Sequence, residues 1–332
     1  MTGQADITAA LADLLAATGW TDAAVDITGA ATVGAVRATL FIDINSGGST
    51  IPAVAQIGSG AERSAIDEAA VLGLAQTAGA PVPKVLAVTD RLGDEDRPVL
   101  VTSHMNGLSI PRQILRSLPD AAAGDSLAHQ CGEALAQLHS VDPSTIPESI
   151  DALDTADPLG DYCDRLTESI DNLPTRHPTI RLGINWLRRN KPPPPPDRAL
   201  VHADFRNGNM LVHEGRLNAM LDWELAHVGD PMEDLAWICV RMWRFGNDHN
   251  PCGGFGSVEA LRSGYEAAGG LWRDDAFWWW LTARTAWWGI GLGSQGAAFV
   301  SGESDSIVHA ASGRRVPELE YDLLDLIQQQ EH

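Results

Sequence analysis

Lysine is nearly missing from this 332-residue chain: Lys84 and Lys191 are the only two, and the other basic residues are arginines. Lysine and arginine together number 23 against 44 aspartates and glutamates, a formal net charge of −21. No basic stripe is visible, so a nucleic-acid partner is not expected, because neutralising phosphates takes clustered cations. A cationic substrate fits the sign of the charge, and so does a generally acidic proteome. Long apolar runs are missing too. None approaches the roughly 18–20 residues that cross a bilayer, so no membrane partner is expected. The first 20 residues lack a basic stretch and carry Asp6 and Asp13, which argues against a signal peptide. Cysteine is sparse. Cys131, Cys163, Cys239 and Cys252 have no metal-like spacing and read as free thiols of a reducing cytoplasm. There is no Walker A lysine loop, G-x-S-x-G elbow, H-E-x-x-H pair or internal repeat.

What remains is a globular chain, 44% apolar, long enough for two domains or one large one. A leading Ala/Leu-rich helix is expected over 5–17. Two strand-like runs follow in 24–44, separated by the small, flexible stretch Gly29–Gly34. In the second run Val36, Ala38, Leu40 and Ile42 alternate with Arg37, Thr39, Phe41 and Asp43, a strand period. After a turn at Gly47-Gly48, 51–58 reads as a third strand, 62–78 as a helix, and 81–88 and 97–103 as two more strands. Beyond Asn106-Gly107 the pattern turns helical, with Leu127, Cys131, Leu135 and Leu138 on one helix face. Five consecutive prolines at 192–196 mark a stiff exposed connector. Residues 198–231 read as strand, loop, strand, turn at Glu214-Gly215, strand and loop, and the remainder as Trp-rich helices.

The informative stretch is His202-Ala-Asp204-Phe-Arg206-Asn-Gly-Asn209, with Asp222 following in Leu-Asp-Trp-Glu. Phosphoryl transfer needs such a set. One carboxylate takes the proton of the attacking hydroxyl, while an amide and a second carboxylate hold Mg²⁺ against nucleotide phosphates. Asn and Asp supply the hard oxygens that Mg²⁺ prefers. Each residue alone would be an ordinary turn former. The joint spacing is what carries the meaning.

H-x-D-x-x-x-x-N, then D-W-E, Gly229-Asp230-Pro231 and Asp234-Leu-Ala236 together resemble the aminoglycoside phosphotransferase family of small-molecule kinases. The resemblance reaches upstream to the helix of Glu68, Pro81-Val82-Pro83-Lys84-Val85, Val99–Gly107 and Leu135-Ala-Gln-Leu138-His139, spanning roughly residues 24–240. It implies an α+β, protein-kinase-like two-lobed fold: a small antiparallel sheet lobe, 1–103, that binds nucleotide, and a larger, mainly helical lobe, 104–332, that carries catalysis and the substrate. It implies ATP and Mg²⁺ as cofactors and a hydroxyl-bearing small molecule as partner. Asp204 would be the base, Asn209 and Asp222 the metal ligands, and Ser103, His104 and Met105 the backbone hinge for adenine. Glu68 would be the helix carboxylate that pairs with a phosphate-binding lysine.

One position departs from that pattern. The third strand of the family supplies a Lys or Arg, and here it offers Gln56, which carries no charge. Arg37, on the strand leaving the flexible stretch, is the candidate to reach the phosphates and pair with Glu68 instead. Its alternative is an exposed strand residue. A catalytically weak nucleotide or metabolite binder is accordingly the competing function. Arg206 reads equally as a phosphate or substrate contact and as a solvated loop residue. Glu224 reads as a second metal ligand or pocket wall, or as exposed. His202 reads as a structural hydrogen-bonding histidine and Asp234 as a helix cap or loop clamp. Ten of the eleven tryptophans lie from Trp186 onward, and most of them must be core, with one or two at a ligand. Gly291-Leu-Gly293-Ser-Gln-Gly296 matches G-x-G-x-x-G, but it follows no strand, so close helix packing is expected there instead of a dinucleotide site.

Overall fold

The computed structural model describes residues 4–30, 37–59, 63–93, 95–154 and 156–330. The first helix, α1 (Gln4–Ala17), lies against a five-stranded sheet built from β1 (Ala24–Ala30), β2 (Ala38–Ser46), β3 (Ser49–Ile57), β4 (Val85–Thr89) and β5 (Val99–Ser103). The strand order is β1-β2-β3-β5-β4, and every neighbouring pair is antiparallel. Gly47 and Gly48, both at positive φ (58° and 79°), close the β2–β3 hairpin in the conformation that glycine adopts without strain.

Alternation divides the sheet into two faces. Ile42, Ile44, Ala53, Ala55, Ile57, Val99 and Val101 meet Leu11 and Leu15 of α1 in one apolar core. The opposite face carries Thr39 and Phe41 of β2, with Gln56 paired to Thr39 and to Leu100 of β5. Leu100 belongs to the second, larger core, so this face looks toward the rest of the molecule.

Between β3 and β4 runs α2 (Ala65–Thr77). It starts later than its apolar pattern suggests because Ser64 caps it, accepting from the Asp67 N–H at 3.2 Å, while Asp90 accepts from the Ala65 N–H at 2.6 Å. β4 likewise starts at Val85 and not at residue 81: Pro81 and Pro83 have no N–H to give a ladder.

The helical part comprises α3 (Pro111–Ser117), α4 (Ala121–His139), α5 (Pro158–Asp171), α6 (Pro178–Arg189), α7 (Met232–Trp237), α8 (Val258–Ala267), α9 (Asp274–Ser301), α10 (Ile307–Gly313) and α11 (Val316–Gln330). Inserted before α7 are two small antiparallel pairs, β6 (Ala199–Val201) with β9 (His227–Gly229) and β7 (Met210–His213) with β8 (Arg216–Met220). The five prolines form a largely exposed link from α6 to β6. Their carbonyl at Pro193 accepts from Arg273 Nη1 at 3.0 Å. Two contacts tie the sheet part to the loop after β8. Arg63 donates to the carbonyls of Ala226 (2.6 Å) and Trp223 (3.3 Å), and the Met220 N–H donates to Pro81 O at 2.8 Å. Most of the stretch Gly29–Gly34, expected from the family resemblance to lie near the nucleotide phosphates, falls in residues 31–36, outside the described residues.

Candidate active site

The chain leaves β6 at Val201 and turns sharply through Ala203, which adopts φ 61°. Asp234 of α7 holds the turn, with one carboxylate oxygen on the His202 N–H and the other on the Ala203 N–H, both at 2.7 Å. Burial opposes the charge on Asp234, but hydrogen bonding to His139 (3.1 Å) and to the two amides outweighs it and keeps the carboxyl below its ordinary range. Asp234 lies inside α7, whose cap position is Pro231, so it is a loop clamp and not a helix cap. His202 is fully buried. Its Nδ1 accepts from the Asp204 N–H at 3.2 Å, so its Nε2–H donates to Leu221 O at 3.0 Å. Burial holds this imidazole below its usual range, hence neutral, and its bonds make it a structural strut.

Asp204 follows, its carboxylate receiving three side-chain hydrogen bonds. Oδ1 accepts from Trp237 Nε1 at 2.8 Å and from Arg206 Nε at 3.1 Å, and Oδ2 accepts from Asn209 Nδ2 at 2.5 Å. Arg206 also stacks on Trp243, 4.3 Å from the ring centre, so it is held in place although its side chain is only half-buried. Asn209 is held between this loop and the next, since its carbonyl accepts the Leu221 N–H at 2.9 Å. Asp222 adopts φ 68°, an uncommon conformation for a non-glycine residue. It is solvent-accessible within the cleft. The surrounding protein first, and then the carboxylates of Glu224 and Asp204, push its carboxyl up to about 7 against the pull of Arg206. Crowded acidic oxygens beside an amide are a donor set that fits a hard divalent cation. Among the described residues no cluster of three or more His, Cys, Asp or Glu side chains forms a complete metal cage. An ion at Asn209 and Asp222 would therefore need oxygens from its ligand, which is the habit of Mg²⁺ at phosphates.

Close to these carboxylates Arg37 forms an ion pair with Glu68 of α2, and both side chains are nearly buried (10% and 3% exposed). Burial works against the guanidinium charge, but Glu68, then Glu224 and Asp222, outweigh it and hold Arg37 above its ordinary range. Arg37 Nε and Nη2 are buried and have no partner among the described residues. The structure thus brings together Arg37, Glu68 and the Asp222–Glu224 carboxylates. Gln56, expected near the phosphates, shares the sheet face of Thr39 two residues beyond Arg37.

The hinge segment is partly committed already. The Ser103 N–H donates to Lys84 O at 2.8 Å and the His104 N–H to Pro52 O at 3.1 Å. This leaves Met105 as the member of the trio outside any strand bond. The His104 ring lies edge-on to Phe41, 6.1 Å between ring centres.

Sequence reasoning missed Arg284. Buried in α9, it donates to Ala203 O (2.5 Å) and to Glu233 (2.8 Å), and it lies over the rings of Trp237 (4.3 Å) and Trp287 (4.0 Å). Glu233 faces His227 as well, at 3.2 Å. Trp237, Trp243, Trp287 and Trp288 form one aromatic cluster beside Asp204. The G-x-G-x-x-G match lies wholly inside α9. There Gly296 packs on Gly313 so closely that an added Cβ would lie 2.7 Å from its Cα.

Solved structures of similar fold include proteins described as phosphotransferases. A protein described as an aminoglycoside phosphotransferase from Ralstonia eutropha superposes with a TM-score of 0.77 at 20% identity, covering 97% of this chain and 98% of that one. A macrolide 2′-phosphotransferase from Brachybacterium faecium does so at 0.58 and 19% identity, over 92% and 97%. The aminoglycoside phosphotransferase APH(4)-Ia, in a ternary complex with ADP and hygromycin B, reaches 0.57 at 17% identity, over 89% and 94%. The model of the phosphotransferase enzyme family (APH) matches residues 32–278, and the chain belongs to that family.

Among curated relatives, acyl-CoA dehydrogenase family member 11 of Gallus gallus is 32% identical over 171 residues, which is 48% of this chain and 21% of that protein. Family member 10 of Mus musculus is 27% identical over 173 residues, 50% of this chain and 16% of that protein. The match spans no more than about a fifth of the length of either relative.

Proposed function

We propose that this chain transfers the γ-phosphoryl group of ATP to a hydroxyl of a small molecule. The observation that carries this reading is the Arg37–Glu68 pair facing Asp222 and Glu224 across one cleft. It supplies the cation that Gln56 does not, and its N–H groups without a partner among the described residues suit phosphate oxygens. Asp204 would take the proton of the acceptor hydroxyl, whose oxygen bonds to the γ-phosphorus while the bond to the β–γ bridging oxygen breaks and ADP leaves. Arg206 would hold Asp204 in place from its seat on Trp243. Asn209 and Asp222 would hold Mg²⁺, which when bound supplies positive charge against the phosphates. Met105 would read adenine through its backbone, with Ser103 and His104 fixing the segment. Residues 1–103 would act as the nucleotide lobe and 104–332 as the catalytic and substrate lobe. The four buried, unpaired thiols suit a cytoplasmic setting.

A second reading, a weak binder of a nucleotide or metabolite, draws on Gln56 alone. Thermal shift with ATP, ADP and NAD, each with and without Mg²⁺, separates the two. The kinase reading expects Mg²⁺-dependent stabilisation by ATP and none by NAD. Stabilisation that ignores Mg²⁺ supports the binder. Fold and family do not name an acceptor. The screen that follows should therefore span aminoglycosides, amino alcohols, sugars and hydroxyacyl compounds, the last because the curated relatives are named for acyl-CoA chemistry.

A further inference from the structure

A carboxylate oxygen has two lone pairs to offer. On Asp204, Oδ1 has both engaged, by Trp237 Nε1 at 2.8 Å and Arg206 Nε at 3.1 Å, whereas Oδ2 receives, among the described residues, only Asn209 Nδ2 at 2.5 Å. Trp237 is itself fixed. Its side chain is fully buried, the Arg284 guanidinium lies 4.3 Å from its ring centre, and Trp243, Trp287 and Trp288 press on it at 5.0, 5.4 and 5.9 Å. Arg284 grips the other side of the same turn by donating to Ala203 O at 2.5 Å. One buried cation thus holds both the residue before Asp204 and the ring that donates to it. A cation over the π face draws electron density from the indole and strengthens its N–H as a donor.

We propose that Trp237, backed by Arg284, is a positioning residue that orients Asp204 so that Oδ2, and not Oδ1, takes the proton of the acceptor hydroxyl. This rests on Asp204 being the base. In the step itself the hydroxyl proton goes to Oδ2, the freed oxygen bonds to the γ-phosphorus, and the electron pair of the breaking P–O bond leaves with ADP.

Trp237→Phe keeps an aromatic ring under Arg284 and deletes the N–H. ATP hydrolysis with Mg²⁺ and water as acceptor reads it without an identified substrate. The expected result is a kcat about 10- to 100-fold lower with an unchanged KM for ATP, the loss fitting one hydrogen bond to a charged group. The second measurement is the ¹H–¹⁵N spectrum of the eleven indole N–H groups. The peak that disappears in Trp237→Phe should be displaced in Asp204→Asn. If Trp237→Phe turns over like the wild type while Asp204→Asn does not, or if no indole peak moves in Asp204→Asn, the positioning role is wrong. Should Asp204→Asn itself hydrolyse ATP normally, the base assignment falls, and the displaced peak still reports whether Trp237 and Asp204 touch. The spectrum alone decides where hydrolysis is too slow to measure or Trp237→Phe is too unstable to purify.

Discussion

Arg37, immediately before β2, meets Glu68 of α2, whereas the family pattern calls for a cation on β3, where this chain has Gln56. The pair is nearly buried, so neither partner is a casual surface charge.

If Arg37 serves the phosphates, Arg37→Ala should weaken Mg-ATP binding by about 1.5–3 kcal/mol, the worth of a lost charged hydrogen bond. Gln56→Lys should strengthen it by giving Glu68 a second cation. Isothermal titration calorimetry measures both. Normal binding by Arg37→Ala with no gain from Gln56→Lys would assign the cleft to the weak-binder reading.

Asp204→Asn should bind nucleotide as the wild type does and lose turnover by about 10²–10⁴, the range for a general base. Steady-state kinetics with whichever acceptor the screen returns is the check, and turnover near the wild-type level removes Asp204 from the mechanism.

Asp222 titrates in the native chain at about 7, whereas an unfolded Asp titrates near 4. Between those values the native state holds a proton that the unfolded state releases, so the native chain loses stability as pH rises through this window and carries the full penalty above it. Asp222→Asn removes the penalty. Because the carboxyl is open to solvent in the cleft, screening limits the gain to about 1 kcal/mol or less. Urea unfolding should therefore find the variant slightly more stable than wild type at pH 8 and equal to it at pH 4. The same variant should lose the Mg²⁺ dependence of ATP binding, and a variant that keeps that dependence would clear Asp222 of metal binding.

Gly296→Ala should cost roughly 1–3 kcal/mol of stability, because the new methyl has no room beside Gly313. Neither this variant nor the wild type should be stabilised by NAD. A wild-type thermal shift with NAD that Gly296→Ala abolishes would revive the dinucleotide reading.

Much of the site was legible because its chemistry is local in sequence. Asp204, Asn209 and Asp222 fall within one strand-loop-hairpin passage, whereas Arg37, read as part of a strand, lies just before β2. The supports were not legible. His139 reaches Asp234, and Arg284 reaches Ala203, across most of the helical part, and no spacing rule links residues that only helix packing brings together. Trp237 looked like core and is core, yet its indole N–H reaches Asp204. The expected start of β4 failed at Pro81 and that of α2 at Ser64, where the missing N–H and the cap override an apolar pattern.

If the cation at the phosphates is Arg37, as proposed, that also changes how this site can be found. Reagents that acylate an amine beside bound nucleotide need a lysine there, and the only two in the chain, Lys84 and Lys191, are exposed residues other than the proposed phosphate contact. A guanidinium keeps its charge and resists such acylation. Surveys that detect kinases by lysine labelling should pass over this protein while its cleft is fully occupied.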